Sequence, residues 1–160
     1  MEVITRANWD AVKEVKETMC EALKELMEYI EKYQDIYSFH SKFIEEFGKI
    51  LSKDASGHEK EVFNIMIKQL AYVKTMREDV FKADGNEILK DTGADGEYYS
   101  LHITNKTVNL RMLMRFTEEK RPLFLAVFNE KAGKKTSNYS QWISIIKKRY
   151  AELKGEEDEE

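Results

Sequence analysis

Cysteine and proline are almost missing from this chain, whose 160 residues hold 1 Cys and 1 Pro. The lone thiol, Cys20, excludes an internal disulfide framework and any multi-cysteine zinc site. Glycine is sparse as well, at 7 residues, while 42% of the chain is hydrophobic and 35% charged. Such a composition excludes collagen-like, low-complexity and largely disordered chains. No apolar run approaches the roughly 20 residues that span a bilayer. The opening Met-Glu-Val-Ile-Thr-Arg lacks the charged-then-apolar layout of a signal peptide, so a soluble, cytoplasmic protein is expected. His40 and His58 stand apart from any ligand-spaced partner, and no zinc, P-loop or dinucleotide signature occurs. Neither a metal nor a cofactor is expected.

What the chain does have is segregated charge. Residues 1–100 carry 14 basic and 21 acidic side chains, whereas residues 101–154 carry 12 basic against 4 acidic. Gly155–Glu160 adds five acids as a terminal tail. The basic stretch is either a solvated face or an electrostatic seat for a polyanion.

Helical periodicity dominates the first hundred residues. Val12, Val15, Met19, Ala22 or Leu23, Leu26 and Ile30 form one stripe, with Asn8 as the expected N-cap. This helix either packs on its own domain or docks another chain. The β-formers Ile36–Phe39 make a short strand or continue the helix. Ser41 then caps a helix with Phe43, Ile44, Phe47, Ile50 and Leu51 inward, and Ser52–Gly57 is a loop. A further helix follows, with Val62, Phe63, Met66, Leu70, Val73 and Met76 on its buried line and turn chemistry at Lys82–Asn86. The two make a helical hairpin.

Beyond the turn-rich Asp91–Gly96 the period changes to two. Tyr98–Ile103 and Val108–Arg115 alternate as strands, the second with a mostly polar face of Asn109, Arg111, Leu113 and Arg115. Pro122 opens a third strand, Leu123–Phe128, whose unbroken apolar run predicts cover on both faces. Trp142, Ile143, Ile145, Ile146 and Tyr150 mark a last helix. The expected architecture is therefore α+β: N-terminal helices packed on a small antiparallel sheet of three to four strands, followed by a C-terminal helix.

With these elements in order, the stretch from about Phe43 to Leu153 resembles the RelE/ParE superfamily of bacterial toxins, particularly its HigB-like branch. The resemblance rests on Asp95–Ile103, on Leu110–Phe116, on Leu123–Phe128 with the following Asn129–Thr136, and on Ser137–Ser140 leading into Ile145–Tyr150. It divides the chain into an N-terminal helical extension (1–35), a toxin-like domain (36–154) and an acidic tail (155–160). It implies a toxin of a toxin–antitoxin system, held inactive by a cognate antitoxin protein. Members cleave messenger RNA, usually on the ribosome and without a metal ion, while one branch poisons DNA gyrase as a non-enzymatic binder. This chain departs from minimal members in its acidic total and its added first helix, and in carrying Ser100 and His102 where several ribonucleases have basic strand residues.

Metal-free RNA cleavage uses the ribose 2′-OH as nucleophile, so it needs a base, a stabiliser of phosphorane charge and an acid. Arg111 is the candidate stabiliser: a mid-strand guanidinium offers two fixed hydrogen bonds to a phosphate, and it matches the family's strand arginine. The plainer reading is a surface arginine covering the sheet. Lys131, Lys134 and Lys135, in the loop after the last strand, would hold the RNA backbone and stabilise developing charge, Lys131 being counted with the catalytic candidates; the alternative is a loop of solvated lysines. Tyr139 matches a tyrosine that some members use near the scissile phosphate; it is a stacking or proton-transfer group, or else an anchor for the last helix. His102 is a base or acid near neutral pH, or a structural strand histidine. Arg115 and Ser100 are further candidate RNA contacts. A helical interaction protein with the sheet as scaffold is the third reading.

Overall fold

A computed structural model describes residues 21–82, 85–89, 97–130 and 139–158. The elements are α1 (Glu21–Lys32), β1 (Ser38–Phe39), α2 (Ser41–Lys53), α3 (Glu59–Met76), a 3-10 helix (Arg77–Lys82), β2 (Glu87–Ile88), β3 (Tyr98–Thr104), β4 (Asn109–Phe116), β5 (Pro122–Asn129) and α4 (Tyr139–Asp158). The chain is α+β, as its change of period predicts, but the sheet has five strands rather than three or four. Its order is β1-β5-β4-β3-β2, with β1 parallel to β5 and all other pairings antiparallel.

The two extra strands are β1 and β2, each only two residues long and so too short to carry a period-two signal. At Ile36–Phe39 the strand alternative holds, and the His40 N–H extends its pairing by donating to the Phe124 carbonyl at 2.8 Å. The cap of α2 differs from expectation. His40, not Ser41, is the N-cap, because its Nδ1 accepts the Lys42 N–H at 3.0 Å. The second hairpin helix stops at Met76 and tightens into the 3-10 turn, and at the other end of the chain α4 runs on through the first residues of the acidic tail to Asp158.

The sheet divides two cores. One face carries Tyr99, Leu101, Ile103, Leu110, Met112, Met114 and Phe116 against α1, α2 and α3. The inward residues of α1 are Ala22, Leu23, Leu26, Met27 and Ile30, so the described part of the N-terminal helix packs on its own domain, and Glu25 accepts from Lys60 of α3 at 2.6 Å. The opposite face carries Tyr98, Leu113, Leu123 and Leu125 against Ile146, Tyr150 and Leu153 of α4. The apolar run of β5 is thus covered on both sides. The earlier residues of the first stripe, Val12, Val15 and Met19, and the expected cap Asn8 lie outside the described residues.

One irregularity shapes the outer edge of β5. Leu113 pairs with Ala126 while Met114 pairs with Phe124, so Leu125 is an extra residue in β5, a bulge. Among the described residues this edge has no strand partner beyond β1; a side-chain pair takes its place. Arg149 of α4 donates to the Leu125 carbonyl at 2.6 Å, and Glu46 of α2 accepts from the Val127 N–H at 3.3 Å. The two side chains are joined by a bridge of 2.8 Å from Nη2 to Oε2. Among the described residues no helix is long and apolar enough to cross a membrane.

Candidate functional site

The polar face expected on β4 exists only in part, because α4 covers half of it. Arg115, at the covered end, is 7% exposed. Its guanidinium lies 3.9 Å from the Tyr150 ring centre and 5.0 Å from that of Tyr98, and Nε donates to the Phe116 carbonyl. Ser100 is fully buried. Both side chains are buried, in contrast to the exposure their strand alternation suggests, and for Arg115 the Tyr150 ring of the closing helix is part of that cover.

Arg111 and His102 occupy the other end, directly opposite each other in the β3–β4 register. Alternation places Arg111 on the same face as Leu113 and Arg115 and brings Phe128 of β5 beside it on the other flank. Trp142 of α4 stacks on Phe128 at 5.0 Å, so the first turns of α4 close this flank. Tyr139, the first residue of α4, precedes Trp142 by three positions. Lys131, Lys134 and Lys135 lie outside the described residues, in the segment that follows Glu130 in sequence.

The Arg111 guanidinium is largely buried, with 12% of the side chain exposed. Nη2 is 3.1 Å from Oε2 of Glu130, and Nη1 donates to the Asn109 side-chain oxygen and to the Leu110 carbonyl. Nε is buried and has no hydrogen-bond partner. Glu130 itself is anchored by its backbone, whose N–H donates to the Asn109 carbonyl at 2.8 Å.

His102 is held through its main chain. Its N–H donates to the Asn86 side-chain oxygen at 2.8 Å, and its carbonyl accepts from the Gln69 amide at 2.7 Å. Asn86 also donates to Gln69 Oε1, so this side-chain pair continues the edge of β3 where β2 stops. The imidazole Nε2 is 3.5 Å from a Glu87 carboxylate oxygen. Gly85, with φ +77°, passes so close that a Cβ there would meet His102 Nδ1 at 3.1 Å, and only glycine suits both the conformation and the space. Burial, and then the charge of Arg111, hold the imidazole below its ordinary pKa, against the opposing pull of Glu87 and Glu130. Beside it an open cavity of about 560 Å³ runs along α3, lined in part by Lys68, Gln69, Tyr72 and Met76.

The structure therefore brings together two of the expected residues, Arg111 and His102, and adds two carboxylates that sequence reasoning did not single out. Glu130 gave a signal only as an acid directly preceding a lysine-rich run. Glu87 gave none, since β2 is too short to be seen. Chemically, the arrangement is a guanidinium beside a largely neutral imidazole, each with an acidic neighbour. Among the described residues no group of three His, Cys, Asp or Glu side chains is placed to hold a metal ion. Set against protein-family models, curated proteins and solved structures, the chain matches none of them.

Proposed function

We propose that this protein is a RelE-like toxin, an endoribonuclease that cleaves ribosome-bound messenger RNA without a metal ion and is neutralised by a cognate antitoxin. The order of elements supports the RelE-like reading: a helical hairpin, α2–α3, then the antiparallel β3–β4–β5 meander, then the closing helix α4. The observation that carries the function is the placement of His102 and Arg111 opposite each other on one sheet face. A strand pair holds both rigidly, which is what positioning a reactive phosphate requires.

In this reading the neutral imidazole of His102 takes the proton of the ribose 2′-OH. The 2′ oxygen attacks the adjacent phosphorus, and the Arg111 guanidinium stabilises the charge that gathers on the non-bridging oxygens. The bond from phosphorus to the 5′ oxygen then breaks, leaving a 2′,3′-cyclic phosphate. The departing oxygen is protonated by Lys131 or Tyr139, and Lys134 and Lys135 hold the flanking backbone. Induction of the chain in bacteria, with primer-extension mapping of messages, tests this. Wild type arrests growth and cuts messages, and Arg111→Ala does neither. Equal arrest by both, with messages intact, overturns it.

The second reading is a non-enzymatic binder of the same fold, such as a gyrase inhibitor. The ion pair between Arg111 and Glu130 favours it, because in the observed state a carboxylate stands at the guanidinium edge that the nuclease reading gives to the phosphate. Inhibited supercoiling with uncut messages is its signature.

A further inference from the structure

The contact between Arg111 and Glu130 is incomplete in an informative way. Nη2 is 3.1 Å from a Glu130 carboxylate oxygen, while Nε, which lies on the same edge of the guanidinium, is buried without a hydrogen-bond partner. An arginine presents Nε and Nη2 as a fork that matches two oxygens of one phosphate. In the observed state that fork is half used. A carboxylate occupies one tine, and the other donor carries the cost of an unmade bond.

We infer that Glu130 is an internal stand-in for phosphate, which keeps the Arg111 fork closed until a phosphodiester displaces it. A phosphate can accept from both Nη2 and Nε, so the exchange keeps an anion on the guanidinium and satisfies the buried donor. The Glu130 N–H donates to the Asn109 carbonyl, so the backbone pairing does not depend on where its carboxylate sits. Asn109 keeps its own side-chain contact with Nη1 and holds the guanidinium in place during the exchange. Glu130 also directly precedes Lys131 in sequence, so the carboxylate that closes the fork adjoins the lysine-rich segment expected to receive RNA.

This inference rests on the nucleic-acid reading of the site, and its test separates the two. The probe is a short single-stranded RNA with 2′-O-methyl riboses, which binds but is not cleaved, measured with wild type, Glu130→Gln, Arg111→Ala and the double variant. Glu130→Gln keeps the shape and removes the competing charge. It is expected to bind the probe about tenfold more tightly or better, the range of one charge-assisted hydrogen bond. The gain is expected to vanish in the Arg111→Ala background. Glu130→Asp, which retains the charge, is expected to bind like wild type, and thermal melting of all variants shows that they are folded. Unchanged or weaker binding by folded Glu130→Gln overturns the inference, as does a gain of equal size without Arg111. With unmodified RNA, tighter Arg111-dependent binding but no cleavage by any variant leaves the inference standing and removes the nuclease reading. Cleavage by wild type with no gain in Glu130→Gln does the reverse.

Discussion

Arg111 faces His102 across the β3–β4 ladder, and the guanidinium is one of the two causes that hold the imidazole below its ordinary pKa. Burial is the larger cause and does not depend on Arg111. The His102 resonance followed by NMR is therefore expected to titrate below 6.5 in the wild type. In Arg111→Met the midpoint rises, because a repelling charge is gone while the apolar stem remains. A wild-type midpoint at or above the ordinary value contradicts the geometry. For the proposed cleavage the acid limb of the rate profile lies at the same low pH, since the neutral imidazole is the active form.

Arg111→Ala is expected to lower cleavage by roughly a hundredfold to a thousandfold, the usual loss on removing one oxyanion donor. Arg111→Lys should restore little of it. An ammonium keeps the charge but has no fork for two phosphate oxygens. Single-turnover rates on a short RNA decide the point, and full recovery by lysine would show that charge alone matters.

Arg115 is expected to behave as a packing residue. Arg115→Ala removes a guanidinium stacked on Tyr150 and near Tyr98, a change of roughly 1–2 kcal/mol in stability. Urea unfolding measures that loss. RNA affinity per folded molecule should stay the same, and its salt dependence should not change. A salt slope shallower by about one would instead make Arg115 a phosphate contact.

The buried His40 makes stability depend on pH. Its Nδ1 accepts the α2 cap bond, Nε2 is buried without a partner, and burial together with the nearby Arg149 and Lys42 lowers its pKa to about 4. The folded imidazole is thus neutral where the unfolded one is already protonated. This contribution is complete above 6.5 and declines as pH falls through the window down to about 4. The loss amounts to roughly 3 kcal/mol at the lower end. His40→Asn keeps a side chain suited to the cap and cannot titrate, so its stability should be flatter across that window. Chemical unfolding at several pH values reads this directly, and an unchanged slope in the variant would assign the pH dependence to other groups.

The bridge between Glu46 and Arg149 replaces a strand at the bulged edge of β5. Glu46→Met or Arg149→Met leaves one partly buried charge and one backbone group of β5 without its partner. Either change should cost about 2–3 kcal/mol, seen as a lower urea midpoint with an unchanged slope. A loss below about half a kcal/mol would class the pair with ordinary surface bridges.

The amino-acid order by itself determined the amphipathic helices, the alternation in Tyr98–Ile103 and Val108–Arg115, and the doubly covered run Leu123–Phe128. One-sided or two-sided burial imposes a period on the residues themselves, so it is written locally. Tertiary structure alone decided what surrounds each polar residue of the alternating face. Arg111 and Arg115 look the same in sequence, yet α4 buries one between aromatic rings and leaves the other beside His102. It also decided the short strands β1 and β2, the capping role of His40 and the pairing of Arg111 with Glu130. Each of these depends on a partner distant in sequence or on too few residues to show a period.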